Sequence, residues 1–381
     1  MMKKILFIFL ITTLTSNIFC QGKKNLPKSD GKISFELDFY SGKIFKHSSK
    51  FLPNVTEMSY GFEFAASYKT FGNKNWQRAL NYPEVGVAYI QTHFGNRKIF
   101  GETFGLLPFI KYNITRTKYI DFYARLGAGM GYITKAYHPV DNPTNNVIGS
   151  NFNSLIQFRM GFDFHLTKEI DLVLAGAFTH YSNSATQAPN LGINLPTLNL
   201  GVKYSPKAFD TNYEFIGKEE KKKKLKGFKK NEYGFKFSLG MKDKNPRGPK
   251  FPVYSLALQY GRYIGFANKL IAGTIVSFDQ YEYDFMLIHE IYTDKDQVQQ
   301  SMDWSLYGGY EMMLGNVGIS FLVGAYLIDN GFKGAPVWAK PGITYYLPSF
   351  GKGKHKAFVG VNIKTHYFVA QYAEINTGIV F

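Results

Sequence analysis

Apolar and polar residues alternate with a period of two through most of this chain. The stretch Val317–Leu327 is a clear case. Val317, Ile319, Phe321, Val323, Ala325 and Leu327 fall on one face, and the other face is mostly Gly, Ser and Tyr. Such alternation is the signature of a strand with one apolar side. Matching the period along the chain predicts eight strands near residues 32–41, 57–70, 84–93, 100–114, 118–135, 150–166, 169–182 and 196–205. Later strands are expected to begin near Tyr233, Pro252, Asn268, Met302, Val317, Trp338 and His355, with a last one closing on Phe381. No run offers the roughly 18 uninterrupted apolar residues of a membrane helix.

The seventh predicted strand holds the most informative pattern. Ile170, Leu172, Leu174, Gly176 and Phe178 share its apolar face. In the same phase the next two positions are His180 and Ser182, a base and a hydroxyl on a face that otherwise seeks oil.

Composition narrows the architecture. Hydrophobic residues make up 45% of the chain and aromatics 17%, with 27 Tyr, 35 Phe and 37 Gly, a bias typical of an antiparallel outer-membrane β-barrel. A soluble β-sandwich alternates as well. Met1-Met2-Lys3-Lys4 followed by Ile5–Ile11 has the form of a secretory signal. Cleavage is expected after Cys20, leaving Gln21 first. Cys20 is the single cysteine, so the mature chain has no disulfide framework and no cysteine nucleophile or metal site.

The net charge of +17 calls for an anionic partner, which in this compartment is lipopolysaccharide phosphate and not nucleic acid. Much of the excess sits in Lys218–Lys230, which reads as a solvated linker. The expected organisation is a signal peptide over 1–20, a barrel region over 21–207, a Lys-rich linker or periplasmic turn over 208–232, and a C-terminal strand region over 233–381. Whether the two halves close into one barrel or two stays open. Bacterial barrels start from the periplasm, so a seventh strand runs outward and carries His180 and Ser182 to the outer-leaflet end.

A serine hydroxyl becomes a nucleophile when a base within hydrogen-bond reach takes its proton. Residues i and i+2 of a strand lie about 7 Å apart along the backbone, so His180 and Ser182 meet only if the strand end bends. By itself, His-x-Ser is equally a polar collar on a barrel strand. Other motifs are weaker. Gly127–Gly131 mimics a nucleotide-binding turn but lies inside a strand-like run with no helix after it. His289-Glu290 lacks the second histidine of a zinc helix, and His47, His93, His138, His165 and His355 show no ligand spacing. No cofactor or metal is expected. Thr365-His366-Tyr367 echoes Thr179-His180-Tyr181 but continues with Phe368, so it has no nucleophile.

The sequence around Ser182 is more specific. His180-Tyr181-Ser182-Asn183, a short loop, and then Pro189-Asn190-Leu191-Gly192-Ile193-Asn194 resembles the lipid A deacylases of the PagL family, whose longer relatives are often called acyloxyacyl hydrolases. Gly95-Asn96, Gly131–Lys135 and Asn145–Ser150 also look like those longer relatives. The resemblance covers most of residues 80–205 and not the second half. It implies an outer-membrane serine esterase that removes an ester-linked acyl chain from lipid A, with outer-membrane lipids around it. Ser182 matches the nucleophile and His180 the general base, while Asn183 and Asn190 match positions near the oxyanion hole.

By spacing, the residue that orients the histidine is Asn194, where the family has Glu. An amide can hold an imidazole tautomer but cannot stabilise an imidazolium by charge. In a serine protease that exchange costs about 10⁴ in turnover. Glu374 is a candidate substitute carboxylate, although its phase in the last strand turns it inward. The departure at Asn194 and the uncovered second half leave two alternatives. One is an inactive barrel serving as channel, anchor or structural protein, and the other is a phospholipase.

Overall fold

The computed structural model describes residues 32–70, 72, 74–206, 230–246, 248–328, 334–350, 355–367 and 369–381. The expected signal peptide with Cys20, and nearly all of the lysine-rich tract, lie outside the described residues.

The chain folds into two closed eight-stranded antiparallel barrels. The first is built from β1 (Lys32–Gly42), β2 (Ser59–Lys69), β3 (Glu84–His93), β4 (Thr103–Arg116), β5 (Ile120–Ile133), β6 (Phe152–His165), β7 (Ile170–Ser182) and β8 (Ile193–Tyr204). It closes where β1 pairs with β8, with Leu37 opposite Val202 and Phe39 opposite Leu200. The second comprises β9 (Asn231–Asp243), β10 (Lys250–Tyr263), β11 (Asn268–Asp279), β12 (Met302–Leu314), β13 (Val317–Ile328), β14 (Val337–Tyr346), β15 (Lys356–His366) and β16 (Val369–Val380). It closes through β9 and β16, with Leu239 opposite Ile375. These are barrels of the outer-membrane type, each strand being 10 to 14 residues long, enough to cross a hydrocarbon core at a tilt.

The polarity of the strands is inverted relative to a water-soluble fold. On β1, Phe35, Leu37 and Phe39 face outward and are exposed, while Ser34, Glu36 and Asp38 face the lumen and are buried. The same phase governs the second barrel, where Tyr233, Phe235, Phe237, Leu239 and Met241 form the outer face of β9. Burying charge in the lumens requires pairing. In the first barrel the Arg159 guanidinium lies 2.8 and 2.9 Å from the Asp38 carboxylate and 3.0 Å from Glu36. Lys111 meets Asp163 at 2.7 Å and Lys203 meets Glu84 at 2.8 Å. In the second, Lys269 bonds Glu232 at 2.6 Å and Tyr346 at 2.7 Å. Glu374 bonds Lys340 at 2.9 and 3.0 Å and Asn362 at 3.1 Å. Glu374 is thus neutralised inside the second lumen and takes no part in orienting His180, which belongs to the other barrel.

The Gly127–Gly131 run lies within β5, not in a phosphate-binding turn. A Cβ on Gly127 would strike the Leu107 side chain at 2.7 Å, and one on Gly131 would reach the Tyr181 ring at 2.9 Å. These glycines make room for lumen side chains. His289 caps the helix Gln280–Ile288 between β11 and β12.

Segments 43–58, 94–102, 134–151 and 183–192 join the strands at one end of the first barrel. They bury a cap of Ile44, Phe51, Val55, Phe94, Phe100 and Ile148 over the lumen. Backbone and side-chain bonds lace them together: Phe45 N donates to Asn194 O at 2.8 Å, Gly192 N to Val147 O at 2.9 Å, and Asn146 Nδ2 to Lys50 O at 2.6 Å. This laced end carries the last residues of β7.

Candidate active site

The predicted phase of β7 is the observed one. Ile170, Leu174 and Phe178 are exposed on the outer surface, and Thr179 and Tyr181 are buried inside. His180 and Ser182 therefore project outward, flanking the inward Tyr181. Tyr181 anchors this segment from within. Its ring meets Phe94 edge-on at 5.2 Å, and its hydroxyl lies 3.2 Å from Thr92 Oγ1, which in turn bonds Tyr40.

Residues opposite one another in an antiparallel pair share a face. His180 pairs with Ile156 on β6 and with Asn194 on β8. Asn194 enters a strand because β8 begins at Ile193, three residues before the position the alternation predicted. Pro196 is the fourth residue of that strand. It is tolerated there because its missing N–H points toward β1, whose ladder with β8 ends at Gly42–Thr197. His180 Nδ1 then lies 2.6 Å from Asn194 Oδ1. An amide oxygen only accepts, so Nδ1 carries the proton and Nε2 keeps its lone pair, the tautomer a general base needs.

Ser182 is buried although it is on the outer face, because the chain folds back over it. Ser184 and Ala185 adopt left-handed conformations, with φ of 57° and 60°. Such strained backbone off glycine tends to occur at functional sites. The turn brings Ser184 N to 3.1 Å from Ser182 Oγ and Asn190 Nδ2 to 2.9 Å. Two N–H donors thus converge on the hydroxyl. Ser154, opposite Ser182 on β6, donates to Ser182 O at 2.6 Å and fixes the backbone.

The predicted residues come together unequally. His180, Ser182, Asn190 and Asn194 lie on one patch. Asn183 is there only by its backbone, since its N–H donates to Asn190 Oδ1 at 3.1 Å while its side-chain amide donates to Gln187 O at 2.6 Å. Its side chain braces the loop and is turned away from the hydroxyl. Among the described hydrogen bonds, Ser182 Oγ is engaged by Asn190 and Ser184 and not yet by His180. Catalytic bonds often tighten only when substrate binds.

Two residues escaped the sequence reading. Gly192 has φ of +78°, and a Cβ there would lie 2.9 Å from His180 Cε1, so it lets the loop pass over the imidazole. His47 reaches in from segment 43–58, with Nδ1 2.9 Å from Asn194 Nδ2. It is 147 residues away in sequence, and no local signal marks it.

A hydroxyl, an oriented neutral imidazole and converging N–H donors are the groups that serine ester hydrolysis requires. Residues 60–203 match the family model for lipid A 3-O-deacylase, PagL, and residues 231–381 match that for the acyloxyacyl hydrolase C-terminal domain. The chain belongs to the PagL family of lipid A deacylases, in the form extended by that C-terminal domain, and is a carboxylic ester hydrolase with lipid A as its substrate class. A search of curated proteins finds no match. Among solved structures, the outer membrane enzyme PagL is 15% identical, with 44% of this chain and 97% of that one covered at a TM-score of 0.32. Neisserial surface protein A is 12% identical, with 45% and 96% covered at 0.33. Ail of Yersinia pestis is 14% identical, with 46% and 99% covered at 0.28.

Proposed function

We propose that this chain is an outer-membrane serine esterase that hydrolyses the 3-O ester of lipid A, with Ser182 as nucleophile and His180 as general base. On substrate binding the Ser182 hydroxyl turns from Asn190 toward His180 Nε2. Oγ attacks the ester carbonyl as Nε2 takes its proton. The negative charge that develops on the carbonyl oxygen is held by Asn190 Nδ2–H and Ser184 N–H. Collapse of the intermediate returns the proton from His180 to the departing sugar oxygen and leaves the acyl chain on Ser182. A water molecule, deprotonated by His180, then releases the fatty acid and regenerates the hydroxyl.

The observation that carries this reading is the outward placement of the base and hydroxyl above an apolar slope. Descending from His180, the outward rows are Phe158–Phe178–Pro196 and then Met160–Gly176–Leu198. At Gly176 a Cβ would approach only Thr197 O, at 4.0 Å, so the middle of the slope is open. An acyl chain lying along this surface would put its ester beside Ser182 without leaving the leaflet. Lys43, Lys46 and Lys50 are exposed on the segment that brings in His47, and they supply cations for lipid A phosphates beside the site. In this reading the expected signal peptide directs the chain to export, and the laced end faces the cell exterior.

Expression in a Gram-negative host whose lipid A retains its 3-O acyl chain, followed by mass spectrometry of lipid A, tests the function. The wild type is expected to remove one acyl chain. Ser182→Ala is expected to remove none while still migrating as a folded barrel in unheated gels. Unchanged lipid A with the wild type, or release of fatty acid from phospholipid instead, overturns the assignment.

A further inference from the structure

The group that accepts the His180 Nδ1–H bond is the Asn194 carboxamide, and its surroundings compensate for a specific weakness of an amide in that place. A carboxylate presents acceptors on both oxygens, so either orientation holds His180 Nδ1–H. A carboxamide has one accepting end and one donating end. With Asn194 turned over, its NH₂ would face His180 Nδ1, move the imidazole proton to Nε2 and leave Ser182 facing a donor instead of a base. An Asn at this position works only if something selects its orientation.

His47 supplies that selection. Its Nε2 lies 3.1 Å from the carbonyl oxygen of Leu191, and its Nδ1 lies 2.9 Å from Asn194 Nδ2. A backbone carbonyl can only accept, so Nε2 carries the proton and Nδ1 is the acceptor. That lone pair takes the Asn194 NH₂, which leaves Asn194 Oδ1 toward His180 Nδ1 at 2.6 Å. The polarity of one carbonyl thus passes through His47 and Asn194 to the base. The Phe45 N to Asn194 O bond at 2.8 Å, two residues before His47, holds the segment in register with β8.

We propose that His47 is a positioning residue that locks the Asn194 carboxamide with its oxygen toward His180, and so fixes the tautomer that a carboxylate would hold unaided. This rests on the esterase reading above.

The test is a double-mutant cycle on the full-length purified chain, in which His47→Phe is made both in the wild-type background and in an Asn194→Glu background. Lipid A deacylation is followed in detergent micelles, and the ¹⁵N resonances of labelled histidines report the His180 tautomer. In the wild-type background, His47→Phe is expected to lower kcat at least about tenfold with KM nearly unchanged, and to mix the two His180 tautomers. His47→Gln keeps an acceptor and is expected to restore most of the loss. In the Asn194→Glu background, His47→Phe is expected to change kcat by less than about twofold. An unchanged kcat and a single His180 tautomer in His47→Phe would overturn the lock. Equal losses in both backgrounds would do so too, because they would mean that His47 merely braces its loop. A wild type without deacylase activity would refute the esterase reading alone, since the tautomer readout still decides for or against the lock.

Discussion

Asn190 Nδ2 stands 2.9 Å from Ser182 Oγ, so the hydroxyl proposed as nucleophile rests on the amide proposed as oxyanion donor. In the proposed mechanism the two roles follow one another, the donor being released when the hydroxyl turns to His180. Removing one such donor in a serine hydrolase costs about 10²–10³ in kcat. Asn190→Ala is therefore expected to lower kcat by about that factor, with little change in KM. Steady-state deacylation of purified lipid A checks it, and a purely KM effect would assign Asn190 to substrate binding.

Gly192 is constrained twice, by its positive φ and by the His180 ring beneath it. Gly192→Ala is expected to cost about 1–3 kcal/mol of local strain and to push the imidazole from its place. The barrel, held by its ladders, is expected to keep its thermal unfolding midpoint within a few degrees while kcat falls. Full activity in this variant would mean that the loop has room that the packing denies it.

Arg159 joins Asp38 and Glu36 at the centre of the first lumen. Arg159→Leu leaves the buried Asp38 carboxylate without its cation, a change that costs about 3–5 kcal/mol. Urea unfolding in detergent is expected to show the loss in the first barrel only, because the second has its own ion pairs.

Leu200 projects outward near the middle of β8, opposite Phe39 and Leu174. If this surface meets lipid, Leu200→Arg is expected to cost about 2–4 kcal/mol of folding into bilayers and to have much less effect on folding into short-chain micelles. Equal folding in both media would argue that the face is not immersed.

Much of the architecture could be read in advance because a barrel strand writes its lipid face and its lumen face into alternate residues. The phase through Ile170, Leu174 and Phe178 placed His180 and Ser182 on the outer face, and the rows around them bear this out. Closure could not be read, because it depends on which distant strands meet. The pairings Phe39 with Leu200 and Leu239 with Ile375 are long-range, and no local pattern announces them. The candidate site is legible where its residues are contiguous, from His180 to Asn194. By resemblance Asn183 matches a position near an oxyanion hole, and the backbone reversal at Ser184 and Ala185 comes with its side-chain amide bonded to Gln187 and with Ser184 N at the Ser182 hydroxyl. His47 has no metal-ligand spacing, and spacing does not mark a single hydrogen bond delivered by a remote loop.

The most direct measurement is reaction of the folded protein with a fluorophosphonate bearing a long alkyl chain, followed by peptide mass spectrometry. The account predicts one phosphonylated residue, Ser182, labelled in the wild type and barely labelled in His180→Ala, with protection by lipid A. Deacylation of lipid A by a protein whose Ser182 stays unmodified, or labelling that is indifferent to His180, would contradict it.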